Sequence, residues 1–392
     1  MQYGFNFASV SNEMTNDAHE GLANATTRDD AAHALALGWN ERLATELIEK
    51  KYDMTSLQRD RRLGRVSRID RGWSTILTSG VHDAVDGVER VRNIGAEVAV
   101  GDWVIISDDL EKIDHVLSRS SALTRRASSD TVRAESHTVA ANIDTVLVVQ
   151  AATPDPNLRR IERELVLAFD SGAQPVLVFN KIDELDAEGL SMMVRRVEPV
   201  LAGVPLIFTS AKTGAGLDGL RAYTYIYDVY DGAKNVASSP QTIALLGASG
   251  VGKSTLINAL SGHDGQATGA VREGDQRGRH TTTAAELVRL VNGGWLIDTP
   301  GLRAVSLWMS NHGIELAFSD IFTLTESCKF RDCKHEDEPS CAVQAAVERG
   351  DVSLERLANM KMLVAEELEL EEQQAVHDRA YDRKGARKKP KI

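Results

Sequence analysis

The residues of this 392-residue chain that could do chemistry fall into a few short groups. Gly247-Ala248-Ser249-Gly250-Val251-Gly252-Lys253-Ser254, followed by Thr255, has the spacing of a phosphate loop. Small residues let backbone N–H groups turn inward at the positive end of a helix, where they cradle phosphate oxygens. Lys253 is expected to reach the β- and γ-phosphates, and the Ser254 hydroxyl to ligate Mg²⁺. Asn180-Lys181-Ile182-Asp183 addresses the base. An ionised carboxylate only accepts hydrogen bonds; guanine presents adjacent donors at N1 and N2, and adenine has no such pair. Asn180 is expected to buttress its loop, and the Lys181 stem to cover the ring. In Ser210-Ala211-Lys212, the Ala211 N–H is expected to meet guanine O6.

Asp298-Thr299-Pro300-Gly301 supplies a carboxylate for the magnesium shell and, at Gly301, an N–H for the γ-phosphate. Arg279-His280-Thr281-Thr282-Thr283 has the make-up of a loop that senses that phosphate, with Thr282 as the threonine on the metal. The order of these groups is their most telling property. In an ordinary GTPase the phosphate loop and the Asp-x-x-Gly element precede the base-reading motif; here they follow it. The chain therefore reads as a circularly permuted GTPase. Leu302 occupies the place where many GTPases carry a water-orienting glutamine. Slow intrinsic turnover is expected, with His280 as the nearest candidate to take over that role.

A last group is Cys328-x4-Cys333-x-His335-x5-Cys341. Three thiolates and one imidazole make a closed tetrahedral zinc set with no position left for a reacting water, which points to a structural ion. All three cysteines of the chain lie in this window, unlike a secreted disulfide framework. The acidic neighbours Asp332, Glu336, Asp337 and Glu338 are expected to face solvent rather than the metal.

The elements that must position these groups alternate from Ile143 onward. Ile143–Val149 reads as a strand buried on both faces. A helix over Leu158–Phe169 and a strand over Pro175–Phe179 lead to Asn180, and a strand over Pro205–Phe208 leads to Ser210. Thr242–Leu246 precedes the phosphate loop, and Lys253–Leu260 is the helix after it. Glu286–Val291 and Trp295–Ile297 form a hairpin around Asn292-Gly293-Gly294. The motifs thus fall at C-terminal ends of strands, where open α/β sheets bind ligands. Between Arg62 and Leu123, short β-prone runs alternate with Gly and Asp turns, which suits a small β-barrel of the oligonucleotide-binding (OB) type, with an SH3-like barrel nearly as good. Leu35, Leu43, Leu47 and Ile48 suggest a helix ending near Lys51, and Ala342–Gln374 reads as helical with a break near Gly350-Asp351.

The fold class is accordingly multidomain α/β. A partly disordered N-terminal extension with a short helix (1–58) precedes an OB-like barrel (59–128). A circularly permuted P-loop GTPase domain (129–312), a zinc-binding helical module (313–376) and a basic tail (377–392) follow. The hydrophobic fraction of 42% suffices for buried cores. No apolar run has membrane-span length, and Met1–Glu20 lacks the basic start and apolar stretch of a signal peptide, so a cytoplasmic protein is expected. The net charge of −12 argues mildly against nucleic acid, yet the charge is segregated. Arginines gather at Arg59, Arg61, Arg62, Arg65, Arg68 and Arg71 and again at Arg119, Arg125 and Arg126, and the tail 383–391 is basic, whereas Glu366–Glu372 is acidic.

On the motif order, the Gly278–Thr283 loop and the cysteine spacing, residues 60–375 resemble the ribosome small-subunit-dependent GTPase family, RsgA. The resemblance implies an OB barrel, a GTPase core and a zinc domain. It further implies binding of the small ribosomal subunit and its rRNA late in assembly, GTP hydrolysis to GDP stimulated by that subunit, and a monomer with one zinc ion and magnesium carried with GTP. Two other readings share these residues: an RNA-binding or remodelling module tuned by guanine nucleotide, and a GTPase switch for a non-ribosomal client. The extension before residue 58 carries no motif of the family. Because the segment after Gly301 runs straight into the zinc module, movement around Asp298–Arg303 is expected to reach that module.

Overall fold

The computed structural model describes residues 36–49, 61–78, 87–107, 109–125, 137–153, 155–227, 238–262, 285–291, 293–299 and 310–386. His280, Thr282, Gly301 and Leu302 lie outside these residues, as do the loop 278–283, the segment 300–309 and the first 35 residues.

Five strands form the N-terminal β-rich unit: β1 (Arg61–Asp70), β2 (Trp73–Thr78), β3 (Gly87–Arg92), β4 (Trp103–Ser107) and β5 (Ile113–Val116). The antiparallel order is β5-β4-β1-β2-β3, and a parallel bridge between Arg92 and Lys112 brings the two outer strands together. β1 serves both halves because its pairing with β2 shifts register between Val66 and Arg68, an irregularity that bends a strand. Val66, Ile76, Val91, Val104, Ile106 and Ile113 fill the interior. This is OB-type barrel topology, and the SH3-like alternative falls away.

The next strands, β6 (Ala122–Arg125) and β7 (His137–Ala141), pair with each other, and a parallel bridge links Ala140 of β7 to Val100. The central sheet takes β8 (Thr145–Ala151), β9 (Gln174–Asn180), β10 (Leu206–Phe208), β13 (Thr242–Leu246), β14 (Glu286–Arg289) and β15 (Trp295–Asp298) in the order β10-β9-β8-β13-β15-β14. Within it all pairings are parallel except β14–β15, the expected hairpin. β11 (Tyr225–Tyr227) and β12 (Ser238–Pro240) form a separate ribbon. Residues 145–150 of β8 and all of β13 are buried, which explains their unbroken apolar sequence. At Arg68↔Glu286 the barrel strand β1 continues the central sheet past its antiparallel edge.

The helices in chain order are α1 (Glu41–Glu49), α2 (Leu158–Asp170), α3 (Ala187–Val197), α4 (Leu217–Arg221), α5 (Lys253–Ser261), α6 (Asn311–Ala317), α7 (Ser319–Thr325), α8 (Ala342–Arg349) and α9 (Leu354–Ala386). α9 runs past Gln374, where the helical pattern was expected to end, through the start of the basic tail. Its acidic stretch does not simply face water. Glu366 makes a two-pronged pair with Arg163 of α2 at 2.6 and 2.7 Å, and Glu367 is buried.

Two junctions tie these parts together. Arg65 of β1 is 1% exposed, and its guanidinium donates to Leu37 O (2.7 Å), Asn142 O (3.2 Å) and Thr242 Oγ1 (2.7 Å). Burial pushes its pKa down to about 10, so it stays charged at neutral pH. Thr242 opens the strand that ends at the phosphate loop, so one buried arginine links the barrel to the nucleotide strand. The segment 36–49 lies across the same seam: Leu37, Trp39, Leu43 and Leu47 are buried, Trp39 packs edge-on against Trp103, and Trp295 Nε1 donates to Ala36 O. This part of the N-terminal extension is a wedge between domains. The second junction joins α2 to the C-terminal helices. Arg356 donates to Glu162 (2.6 Å), Asp320 (2.7 Å) and Ala317 O (2.9 Å), and Asn359 also donates to Glu162. At the end of α2, Asp170 accepts from Ser310 N and Gly313 N.

Candidate functional site

The phosphate loop bends where β13 meets α5. Gly247 and Gly252 sit at φ +145° and +94°. A Cβ at Gly247 would lie 2.3 Å from Val149 O, and one at Gly252 would lie 2.3 Å from Asn180 Nδ2, so neither position has room for a side chain. Asn180, at the end of β9, is 2% exposed. Its amide nitrogen donates to Val251 O (3.0 Å) and its amide oxygen accepts from Ala211 N (3.0 Å). One side chain thereby straps the phosphate loop to the Ser-Ala-Lys loop. The Ala211 N–H, expected from the sequence to meet guanine O6, donates to Asn180 Oδ1 in this structure.

Asp183 follows a turn in which Lys181 takes left-handed geometry (φ 67°). The Ser210 hydroxyl donates to Asp183 Oδ1 at 2.6 Å and accepts from Thr213 N at 3.1 Å. Lys212 Nζ stands 3.6 Å from Asp183 Oδ2. The Ser210 hydroxyl, followed by the Lys212 charge, holds the Asp183 carboxyl below the usual carboxylate range. An acceptor-only group at neutral pH is what guanine N1 and N2 require. Ile182 packs at the edge of the main core and Val251 in the core on the opposite face of the sheet.

The phosphate end opens into a cavity of about 980 Å³. Gly247, Ala248, Ser249, Gly250, Gly252, Lys253, Ser254 and Thr255 line it, with Lys181, Asp298 and Thr299. Lys253 Nζ donates to the loop carbonyls of Gly247 (2.6 Å) and Ala248 (2.8 Å). Burial lowers the Lys253 pKa, against the pull of Glu164 and Asp298. The Ser254 hydroxyl and Asp298 carboxylate on this wall are hard oxygen donors suited to Mg²⁺.

The cavity also has a wall that the motifs did not announce. Asn157, Arg159, Arg160, Arg163 and Glu164 come from α2 and its cap, and Met362 from α9. Asn157 caps α2 by accepting from Arg160 N at 3.1 Å. Glu164 is 2% exposed and accepts from Gln150 of β8; burial pushes its carboxyl up to about 7. Glu162 and Glu164, two residues apart and on different sides of α2, are both buried, and buried carboxyls need partners.

Cys328, Cys333, His335 and Cys341 converge, with their ligand atoms all within 4.8 Å of one another. Tetrahedral zinc places sulfurs about 3.8 Å apart and sulfur and nitrogen about 3.5 Å apart. The observed separations are 3.9 Å for Cys328–Cys341, and 3.6 and 3.5 Å from His335 Nδ1 to Cys328 and Cys341, so the donor set fits such an ion. His335 has φ 56°, and its carbonyl is fixed by Gln344 and Lys361. Asp332, Glu336 and Asp337 are exposed as expected. Glu338 instead accepts from Lys334 N and Glu336 N, both at 2.8 Å, and braces the ligand loop.

A family model described as RsgA GTPase matches residues 116–308. The small ribosomal subunit biogenesis GTPase RsgA of Methanosarcina acetivorans is 38% identical over 335 residues, 84% of this chain and 84% of that protein. The protein of the same name in Streptomyces avermitilis is 40% identical over 307 residues, covering 77% and 79%. Among solved structures, YjeQ from Thermotoga maritima aligns with a TM-score of 0.56 and 28% identity over 79% of this chain and 99% of that one. YloQ, a circularly permuted GTPase, shares the fold, with a TM-score of 0.54 and 24% identity over 79% and 96%. With the sheet order, the rotated motifs and these relatives in agreement, the chain belongs to the RsgA GTPase family and is a circularly permuted GTP hydrolase.

Proposed function

We propose that the protein hydrolyses GTP while bound to the small ribosomal subunit during its late maturation, in the cytoplasm and as a monomer. The observation that carries the nucleotide half is the Asn180 strap beside the Ser210–Asp183 pair, which sets a guanine-selective acceptor against the phosphate loop. The subunit half is supported by relatives that match 84% of the chain and are named for small-subunit biogenesis. The barrel adds a suitable face: Arg90 and Arg92 stack over the Trp73 ring at 5.1 and 5.0 Å, a pairing that suits unpaired RNA bases and phosphates. The proposed division of labour follows the limits 59–128 for the barrel, 129–312 for the GTPase and 313–376 for the zinc module.

In this reading Asp183 selects guanine, Lys181 covers the ring, and residues 247–255 with Lys253 hold the phosphates. Ser254, Thr282 and Asp298 would hold Mg²⁺, which neutralises phosphate charge when bound. Gly301 offers its N–H to the γ-phosphate and His280 orients the attacking water. Cys328, Cys333, His335 and Cys341 hold one structural zinc; the full chain should carry one equivalent by elemental analysis, and Cys328→Ser should lose it together with the cooperative melting of the module. GTP favours the subunit-bound state, and hydrolysis releases it.

The test is GTP turnover alone and with purified small subunits, large subunits or whole ribosomes. Stimulation by small subunits, removed by His280→Ala, is the expected result. Equal or absent stimulation would overturn the ribosomal assignment and leave a GTPase for another client.

A further inference from the structure

The cavity wall contributed by α2 holds three arginines in different electrostatic situations. Arg159 faces Glu355 at 3.7 Å, and Arg163 is held by Glu366. Both are engaged by acids of α9. Arg160 is exposed, lines the same cavity as Lys253, Ser254 and Asp298, and has no ion-pair partner among the described residues. Its place is fixed by the first turn of a 13-residue helix, where Asn157 caps its backbone N–H. The positive end of that helix is turned to the cavity, since the cap residue is itself part of the lining. Arg160 and Lys253 also both act electrostatically on Glu164, a third residue of the same lining.

We propose that Arg160 is a catalytic residue, an arginine supplied from within the chain that contacts the γ-phosphate of GTP. The proposal rests on the nucleotide-site reading above and deepens it. In hydrolysis, the water oxygen bonds to the γ-phosphorus as the bond from that phosphorus to the β–γ bridging oxygen breaks. The electron pair stays on GDP, and of the water's two protons one remains on the new P–OH and the other passes to a phosphoryl oxygen, so both leave with inorganic phosphate. The Arg160 guanidinium keeps its protons throughout. It offsets the negative charge on the γ-phosphoryl oxygens, the service that an arginine from a partner performs for other GTPases. Leu302, in the place of the usual glutamine, makes such electrostatic help more consequential. The carboxylates that hold Arg159 and Arg163 leave Arg160 as the guanidinium of this row able to turn to phosphate.

The experiment uses the full chain in single-turnover GTP hydrolysis, with equilibrium binding of GDP and of a non-hydrolysable GTP analogue. Arg160→Ala should slow hydrolysis roughly 10²-fold or more. It should weaken the triphosphate analogue about tenfold while GDP binding stays unchanged. Arg160→Lys should recover analogue binding but little of the rate, because a point charge does not replace the planar fork. Arg221→Ala, at an exposed arginine of α4 outside the cavity lining, should leave both intact. Lys253→Ala separates the two levels of the argument by abolishing binding of both nucleotides. If Lys253→Ala behaves so and Arg160→Ala leaves rate and triphosphate preference unchanged, the Arg160 proposal is overturned. If Lys253→Ala binds both nucleotides normally, the site assignment itself fails. Unchanged melting temperatures of the Arg160 variants, as suits an exposed side chain, and a cooperative melting transition for Lys253→Ala show that each variant is folded.

Discussion

The two ends of the nucleotide cleft are built in different ways. At the base end, Asn180, Asp183, Ser210, Ala211 and Thr213 satisfy one another through three hydrogen bonds, and a fourth runs from Asn180 to Val251 O of the adjoining loop. Every donor and acceptor comes from two neighbouring strand ends and the loop beside them. At the phosphate end, the glycine-rich loop supplies one wall, while α2 and α9 supply the other. That second wall is held by ion pairs to the C-terminal helices. The base end is locally pre-organised; the phosphate end depends on packing between distant segments. Whatever displaces α9 therefore reaches the phosphates before it reaches the base.

The largest expected separation comes from Arg356→Ala. Arg356 and Glu162 are each 2% exposed, and removing the guanidinium leaves a buried carboxylate with only Asn359 as partner. A loss of about 3–5 kcal/mol in denaturant unfolding is expected. Triphosphate affinity should fall, while preference for GTP over inosine triphosphate, which lacks the N2 donor, should not. A parallel loss of base preference would show that the two ends are one unit.

Glu164→Gln is expected to act through pH. Burial raises the Glu164 pKa from its ordinary 4.5 to about 7. Between those values the folded state binds more protons than the unfolded state, so stability declines as pH rises. The contribution is full below about pH 4.5 and gone above about pH 7, on the order of 3 kcal/mol across the window. The glutamine variant, which keeps a neutral partner for Gln150, should flatten that decline. An unchanged slope in melting temperature between pH 5 and 8 would remove Glu164 from the account.

Ser210→Ala is expected to have the smallest effect and to touch the base end alone. Losing the hydroxyl raises the Asp183 pKa towards the ordinary range, so the acid-side loss of GTP binding should begin at higher pH than in the wild type. Affinity at neutral pH should fall about three- to tenfold. A titration of GTP binding between pH 3 and 7 reads both.

These regions also differ in how much of them could be read before the fold. The base end was legible because its chemistry follows from four consecutive residues and a second loop one strand away. What those residues do not show is that the Asn180 side chain reaches across to both Ala211 N and Val251 O. The cysteine cluster was legible for the same reason of spacing, and the barrel from its alternating strands. The α2 wall was not, because an amphipathic helix announces its apolar face, whereas Glu162 and Glu164 are buried by pairing with Arg356 and Gln150, 194 and 14 residues away along the chain. The role of residues 36–49 was hidden likewise. Leu43 and Leu47 signalled a helix, but nothing local shows that Trp39 meets Trp103 or that Leu37 O receives Arg65.

In the proposed site one carboxylate, that of Asp183, held ionised by the Ser210 hydroxyl, confers specificity for guanine. The direct measurement is nucleotide affinity and turnover of Asp183→Asn with GTP and with xanthosine triphosphate. An amide offers one donor and one acceptor, which matches xanthine N1–H and O2 and leaves guanine N2 unpaired. GTP binding is expected to fall by ~10²-fold or more, and the preference to reverse to the xanthine nucleotide. Retention of GTP preference by this variant would contradict the role given to Asp183.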